Sequence, residues 1–155
     1  VVVYRQQTIT TWTRYIDWFV STPLMLVSTA LFFLHRSPGA STDDLFGSGR
    51  LYMMLAFNWL MLSFGFAVEL RTFPKYTGIG LGTLAFAASF TTVGSFVDTA
   101  DVHSLALYVA MTTVWAMYGV AAAFPYTAKN VAYNLLDLVS KNVYGVYLTV
   151  YVLTL

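Results

Sequence analysis

The sequence predicts an all-α membrane protein, a single bundle of transmembrane helices, and three observations favour this fold class. Of the 155 residues, 58% are hydrophobic and only 10% are charged, whereas a typical soluble domain carries about 25% charged residues. Five apolar stretches reach the length of about 20 residues that a helix needs to cross the hydrocarbon core. Short connections separate these stretches, so successive helices are expected to be antiparallel neighbours.

The five predicted spans are apolar runs bounded by residues that favour turns. They cover residues 8–34, 51–70, 78–97, 104–124 and 131–155. Proline, glycine and aspartate are concentrated in the breaks between them, which is typical of loops. Because no internal repeat or low-complexity tract interrupts this pattern, residues 1–155 are predicted to be one multi-pass integral membrane domain whose main partner is the lipid bilayer.

Composition excludes several classes of function. Eight Lys and Arg residues nearly balance seven Asp and Glu residues, so the chain lacks the basic surplus that is typical of nucleic-acid-binding proteins. The absence of cysteine excludes disulfides, a thiol nucleophile and a thiolate metal site. His35 and His103 are interpreted as solvated residues near helix ends, since two histidines are too few for a histidine metal cluster. No nucleic-acid partner, no metal ion and no enzymatic activity are expected.

Four ionisable residues fall inside the predicted spans, where charge is costly and usually functional. Arg14 and Asp17 lie one turn apart in the first span. Asp137 and Lys141 lie four residues apart in the last span, on one helical face. All four can be interpreted as interhelical salt bridges that fix packing. Because burying four charges is a poor route to stability, a functional site is the favoured interpretation.

Lys141 is the residue with the sharpest chemical interpretation. A lysine amine in a desolvated pocket can condense with an aldehyde to form a Schiff base. The two aspartates in the spans would then compensate the charge of the protonated imine. A long conjugated aldehyde needs an aromatic slot, for which the sequence offers Trp18, Trp115 and Tyr118. An aromatic stripe is by itself more typical of core packing than of a cofactor site.

These charged and aromatic residues fall into segments that resemble four helices of the microbial rhodopsins. Residues 14–24 (RYIDWFVSTPL) are similar to the third helix of that family, and residues 133–145 (YNLLDLVSKNVYG) are similar to the seventh. Met61 with Gly65 is similar to a retinal-contacting pair of the fourth helix. Trp115 with Tyr118 is similar to the aromatic pair of the sixth helix. They occur in the family's order along the whole chain. The resemblance implies helices three to seven of a seven-helix retinal-binding bundle, whose first two helices are expected to be absent from this sequence.

The resemblance also assigns roles to individual residues. It implies that all-trans retinal is bound covalently to Lys141 and that Asp17 is the primary counterion and proton acceptor. Asp137 is then the second counterion, and Arg14 is the gate between the Schiff base and the outside. The residues expected to line the retinal are Trp18, Ser21, Thr22, Met25, Met61, Gly65, Trp115 and Tyr118, with Ser21 and Thr22 hydrogen-bonding near the Schiff base.

Two criteria disagree on the orientation of the bundle. Counting loop charges puts Arg5, Arg71, Lys75 and Lys129 on the side where the first span begins, and the positive-inside rule would make that side cytoplasmic. The family topology instead starts this span outside and puts Arg14 toward the extracellular side. We follow the family topology because the first helices of a membrane protein usually dominate its orientation.

Two departures from the family pattern bear on function. Ser28 stands where proton pumps of the family commonly have a cytoplasmic carboxylate donor, and Lys129 stands where bacterial pumps often have a proton-releasing glutamate. With these two residues, Asn130, Asn134 and Asn142 of the last span form the predicted pathway. The pair Tyr133-Asn134, Asn142 directly after the lysine, and Lys129 also resemble the rhodopsins of large viruses, one group of which forms light-gated cation channels.

Three light-driven functions are therefore considered. A light-gated cation channel is favoured, because Ser28 cannot store a proton at neutral pH and the asparagines can bind water or a cation weakly. Hydrogen bonds between helices are an alternative explanation for the asparagines. A light-driven outward proton pump fits the complete set of two acids and two bases. A photosensory receptor needs the same chromophore, and a transporter fragment without retinal is the least favoured hypothesis. The transported ion, cation or proton, and the formation of a homo-oligomer are left open.

Overall fold

The computed structural model describes the backbone of residues 2–154 and the side chains of residues 13–154. Every element of this part of the chain is helical, which confirms the predicted all-α class. In chain order the elements are α1 (Val2–Arg36), α2 (Asp43–Phe46), α3 (Arg50–Glu69), α4 (Lys75–Gly94), α5 (Val102–Ala122), α6 (Tyr126–Asp137), a π-helical segment (Leu138–Val143) and α7 (Tyr144–Leu153).

Four helices of the described chain are long and apolar enough to cross a membrane. They are Thr13–Arg36 of α1 and the whole of α3, α4 and α5, and they correspond to the first four predicted spans. The fifth predicted span, 131–155, is helical as far as Leu153. The π-helical segment interrupts it and separates α6, of 12 residues, from α7, of 10. The sequence did not predict this division because the apolar pattern continues on both sides of it.

The helix ends follow local chemistry. His35 and Arg36 occupy the last turn of α1, where positive charge complements the partial negative charge of the helix end. The chain then turns at Gly39, whose φ of 78° lies in the left-handed region that glycine adopts without steric cost. α6 begins directly after Pro125. At the start of a helix a backbone N–H has no partner within the helix, so proline, which lacks this N–H, costs no hydrogen bond there. His35 and His103 are both exposed near helix ends, as expected.

The chain divides into two compact units, Val1–Tyr108 and Val109–Leu155, with the boundary inside α5. The expectation of a single domain over residues 1–155 stays a prediction. In the first unit α3 packs along α4, and α1 packs on α3. Gly78 of α4 lies so close to Val68 of α3 that a Cβ would collide with it, so this glycine lets the two helices approach closely.

The core of the first unit combines apolar packing with hydroxyl groups that donate to backbone carbonyls. Phe33 and Met54 are fully buried. Ser89 Oγ of α4 donates to the Met54 carbonyl of α3 at 2.9 Å. Tyr108 Oη, at the start of α5, donates to the Phe90 carbonyl of α4 at 3.0 Å. These bonds satisfy buried polar groups and link neighbouring helices.

Candidate functional site

Lys141 and Asp137 form an ion pair in the second unit. The Lys141 Nζ lies 3.9 Å from Asp137 Oδ1, and the two side chains are 24% and 23% exposed. The spacing of four residues predicted that they share a helical face, and the structure brings them together. A carboxylate at this distance can compensate positive charge on the lysine nitrogen.

The ion pair lies where the helix changes its geometry. Asp137 is the last residue of α6, and Lys141 lies inside the π-helical segment Leu138–Val143. Short π-helical turns within α-helices are rare and frequently coincide with functional sites. The sequence did not predict this segment. The signal that could have found it is the polar run Ser140-Lys141-Asn142 in the middle of an apolar helix.

Tyr118 of α5 completes a polar cluster with Asp137. Its hydroxyl donates to Asp137 Oδ1 at 2.7 Å. The same hydroxyl lies 2.9 Å from Ser140 Oγ, and either oxygen can be the donor. Ser140 is buried, whereas Tyr118 and Asp137 are half-buried. The sequence predicted Tyr118 as a retinal contact but did not predict its hydrogen bond to Asp137, because that bond depends on how α5 packs against the last helix.

The predicted aromatic pair lies on one face of α5. Trp115 is buried, and Tyr118 follows it by one turn on the half-buried side. The Tyr118 ring lies 5.7 Å from the ring of Tyr133 in α6, a separation typical of favourable aromatic pairs. Packing therefore fixes the orientation of the Tyr118 ring and hence the direction of its hydroxyl.

The predicted residues of α1 lie in the first unit and divide between a buried face and an exposed face. Trp18, Thr22 and Met25 are buried. The Arg14 guanidinium carbon lies 5.8 Å from the centre of the Trp18 ring, which is within cation–π range. Asp17 is on the exposed face of the helix. The arrangement thus provides a packed aromatic wall beside a positive group.

Thr22 is connected to α3 by Asn58, a residue that the sequence pattern did not predict to be functional. Asn58 Nδ2 donates to Thr22 Oγ1 at 2.9 Å, and Thr22 Oγ1 donates in turn to the Trp18 carbonyl at 2.7 Å. Asn58 is fully buried, and its Oδ1 accepts no hydrogen bond from the described residues. The available signal was an asparagine in the middle of an otherwise apolar span.

Met61 and Gly65, the predicted retinal contacts of the fourth helix of the family, are half-buried residues of α3. Gly65 faces the ring of Tyr15 on α1, and a Cβ at this position would lie 2.7 Å from Tyr15 Oη. A side chain larger than hydrogen would therefore displace Tyr15. Retinal contact by Met61 and Gly65 stays a prediction.

The residues of the predicted pathway differ in their surroundings. Ser28 Oγ donates to the Met25 carbonyl at 2.9 Å, and Asn130 Nδ2 donates to the Tyr126 carbonyl at 3.0 Å, so both bond within their own helices. The Lys129 Nζ lies 5.8 Å from the centre of the Tyr126 ring. The remaining two, Asn134 and Asn142, have exposed side chains.

A groove of about 480 Å³ begins at Lys141 and follows one side of α7. Its polar lining comes from Lys141, Asn142 and Thr149, and the rest of the lining is Gly145 and two valines. Thr149 Oγ1 is bonded to the Gly145 carbonyl at 2.8 Å. Asn142 therefore lines the same open groove as Lys141.

The donor set suits a covalently bound retinal better than a metal ion. The side chains of His, Asp and Glu within the described residues form no group of three or more that could hold a metal. A retinal site instead needs a shielded lysine, a carboxylate beside it, aromatic walls and polar groups near the imine. Ser21 Oγ, in the first unit, is buried and makes no hydrogen bond to the described residues, and its place near the imine stays a prediction.

Comparisons with known proteins show which family the chain resembles. The family model described as bacteriorhodopsin-like protein matches residues 1–155. Among solved structures, the crystal structure of viral rhodopsin OLPVRII matches with a TM-score of 0.82 and 30% sequence identity, over 91% of this chain and 66% of that chain. A search of curated proteins gave no match. The chain thus spans about two thirds of the viral rhodopsin's length.

The family model covers every residue of the chain. The structural match combines a TM-score of 0.82 with a sequence identity of 30%. The described helices are long and apolar enough for a bilayer. The protein is therefore a multi-pass integral membrane protein and a member of the bacteriorhodopsin-like family, the microbial rhodopsins.

Proposed function

We propose that this protein is a light-activated retinal protein that moves ions across a membrane, with Lys141 as the attachment residue. The observation that carries the proposal is the half-buried group of Lys141, Asp137 and Tyr118 around the π-helical segment. Retinal attached to a lysine as a protonated Schiff base absorbs visible light and isomerises. The rest of the function depends on the residues that hold, orient and compensate this charge.

Each residue of the cluster has a distinct part in the proposal. Lys141 binds the chromophore, and Asp137 compensates its positive charge at close range. Tyr118 donates to Asp137 at 2.7 Å and so fixes the direction in which the carboxylate presents its oxygens. Asp17 and Arg14, by resemblance to the family, provide the primary counterion and the gate on the extracellular side.

Among light-driven functions we favour a light-gated cation channel. A pump needs proton donors and acceptors that act in sequence on opposite sides of the chromophore. Ser28 stands at the donor position, and its hydroxyl is engaged with the Met25 carbonyl. Asn142 lines the groove beside Lys141, and a neutral amide can coordinate water or a cation without trapping it, as conduction requires.

A light-driven outward proton pump is the second candidate. The specific observation in its favour is the complete set of Arg14, Asp17, Asp137 and Lys141 in a chain of this family. Water can reprotonate the Schiff base when no carboxylate donor is present, although more slowly. A photosensory receptor would use the same residues and would produce no ion current.

The deciding experiment is voltage-clamp recording of the complete protein under illumination. A channel gives a photocurrent that reverses sign near the equilibrium potential of the permeant cation, and this potential moves with the cation gradient. A current that stays outward at every voltage would contradict the channel and support the pump. A visible absorption band with no current under any gradient would support the photosensory receptor.

A further inference from the structure

Pro23 lies inside the membrane-spanning part of α1 and changes the hydrogen bonding of the helix there. Proline has no backbone N–H, so the carbonyl four residues earlier loses its helical donor. That carbonyl belongs to Phe19. In hydrocarbon no water is present to replace the donor, and such groups are normally satisfied by neighbouring helices.

A donor from α3 reaches this carbonyl. Trp59 Nε1 donates to the Phe19 carbonyl at 3.2 Å. The next residue towards the start of α3, Asn58, donates to Thr22 Oγ1, which itself donates to the Trp18 carbonyl. Two consecutive residues of α3 therefore bond, directly or through Thr22, to the carbonyls of two consecutive residues of α1.

The alternative explanation for Trp59 is an anchor in the interfacial aromatic belt, where tryptophans are enriched at the ends of membrane spans. Its position argues against this explanation. Trp59 lies at the middle of α3, Arg50–Glu69, with its side chain on the exposed face of that helix. An indole N–H at that depth needs a partner inside the membrane, and the Phe19 carbonyl provides one.

We propose that Trp59 is a positioning residue that replaces the hydrogen bond lost at Pro23. By holding the Phe19 carbonyl it fixes the path of α1 between Trp18 and Thr22, two residues that we expect to line the retinal. The effect on the chromophore rests on the proposed function. The hydrogen bond itself does not, so the two can be tested separately.

The bond is tested by magnetic resonance on the complete protein labelled with [1-13C]phenylalanine and [15N]valine. The Phe-Val pairs are Phe19-Val20 and Phe96-Val97, so the labelled carbonyl of Phe96 is an internal reference. Trp59→Phe keeps an aromatic side chain but removes the indole N–H. The Phe19 carbonyl signal is expected to move upfield while the Phe96 signal stays in place. A Phe19 signal that does not move would overturn the proposal.

Pro23→Ala provides a second variant that restores a helical donor to Phe19. In this background, removing the Trp59 N–H is expected to move the Phe19 signal less than in the protein with Pro23. Equal shifts in the two backgrounds would show that the bond does not compensate the proline and would contradict the proposal.

The positioning role is tested by the visible absorption band of the same variants with retinal bound. Trp59→Phe is expected to shift the band, and the shift is expected to shrink in the Pro23→Ala background. Tyr52→Phe, which removes a polar hydrogen from an exposed aromatic residue of the same helix, is the matched control and should leave the band unchanged.

A moved carbonyl signal with an unmoved band would overturn the positioning role. A complete protein that binds no retinal would contradict the proposed function, and the carbonyl signal would still decide the bond.

Discussion

Arg36 and Asp101 form a bidentate ion pair that joins the end of α1 to the start of α5. Arg36 Nη2 donates to Asp101 Oδ1 at 2.6 Å, and Arg36 Nε donates to Asp101 Oδ2. Ser104 adds two hydrogen bonds to Oδ2, from its hydroxyl at 2.6 Å and from its backbone N–H at 3.0 Å. The hydrogen bonds from Arg36 and then from Ser104 hold the pKa of Asp101 well below its usual range.

The first prediction concerns acid stability. A carboxylate whose pKa is lower in the folded protein contributes stability above its unfolded pKa, about 3.9, and loses that contribution as the pH falls through the folded value. Asp101→Asn should therefore lower the melting temperature at neutral pH, and the difference from the wild type should narrow in strong acid. Asp43→Asn, at an exposed aspartate of α2, is the control. An Asp101→Asn effect that is constant from neutral pH to strong acid would argue against the ion pair as its cause.

The second prediction is that Lys141 carries the chromophore. Adding retinal to the complete protein should produce a visible absorption band, and Lys141→Ala should abolish it, because the variant has no amine to form the Schiff base at that position. Lys129→Ala removes a lysine that lies over Tyr126 instead and should keep the band. Absorption spectroscopy after reconstitution measures both. An unchanged band in Lys141→Ala would assign the linkage to another amine.

The third prediction concerns Tyr118. Tyr118→Phe removes the donor to Asp137 and the partner of Ser140, so the free energy of unfolding should fall by about 1 kcal/mol. With retinal bound, the carboxylate charge becomes more localised and the band should move to shorter wavelength. Thr149→Val, which removes a hydroxyl bonded within its own helix, is the control for both measurements. If the control shifts the band as far as Tyr118→Phe does, the cluster has no special role.

These predictions combine relationships that the sequence predicted with others that it did not. Hydrophobic length was enough to predict the four long spans, and helical spacing was enough to pair Asp137 with Lys141, because both are local properties of the chain. The bonds from Tyr118 to Asp137 and from Asn58 to Thr22 join different helices, so their geometry depends on packing. The π-helical segment could not be predicted from hydropathy, since π-helical and α-helical turns bury the same kinds of residue.

The fourth prediction tests the link between Asn58 and Thr22. Because the two side chains share a buried hydrogen bond of 2.9 Å, Asn58→Ala and Thr22→Val should each destabilise the protein, and the double variant should cost less than the sum. Coupling between polar residues of membrane helices averages about 0.6 kcal/mol. Thermal or denaturant unfolding of the four proteins in detergent gives the coupling energy. Strict additivity would mean that the bond contributes nothing to stability.

The last prediction assigns the main counterion. A negative charge near the protonated Schiff base stabilises the ground state more than the excited state, because excitation moves positive charge away along the polyene. Neutralising the main counterion should therefore shift the band to longer wavelength. We expect Asp17→Asn to produce this shift at neutral pH. Asp17 is the family's primary counterion by resemblance, and Asp137 already accepts a hydrogen bond from Tyr118 that disperses its charge.

The matched measurement is the spectrum of Asp137→Asn under the same conditions. A smaller red shift than that of Asp17→Asn would agree with Asp137 as the second counterion. If instead Asp17→Asn leaves the band unmoved while Asp137→Asn shifts it, the main counterion is Asp137, the carboxylate that lies 3.9 Å from Lys141. In that case the exposed side of α1 that carries Asp17 would contribute little to the colour, and the cluster in the second unit would determine most of it.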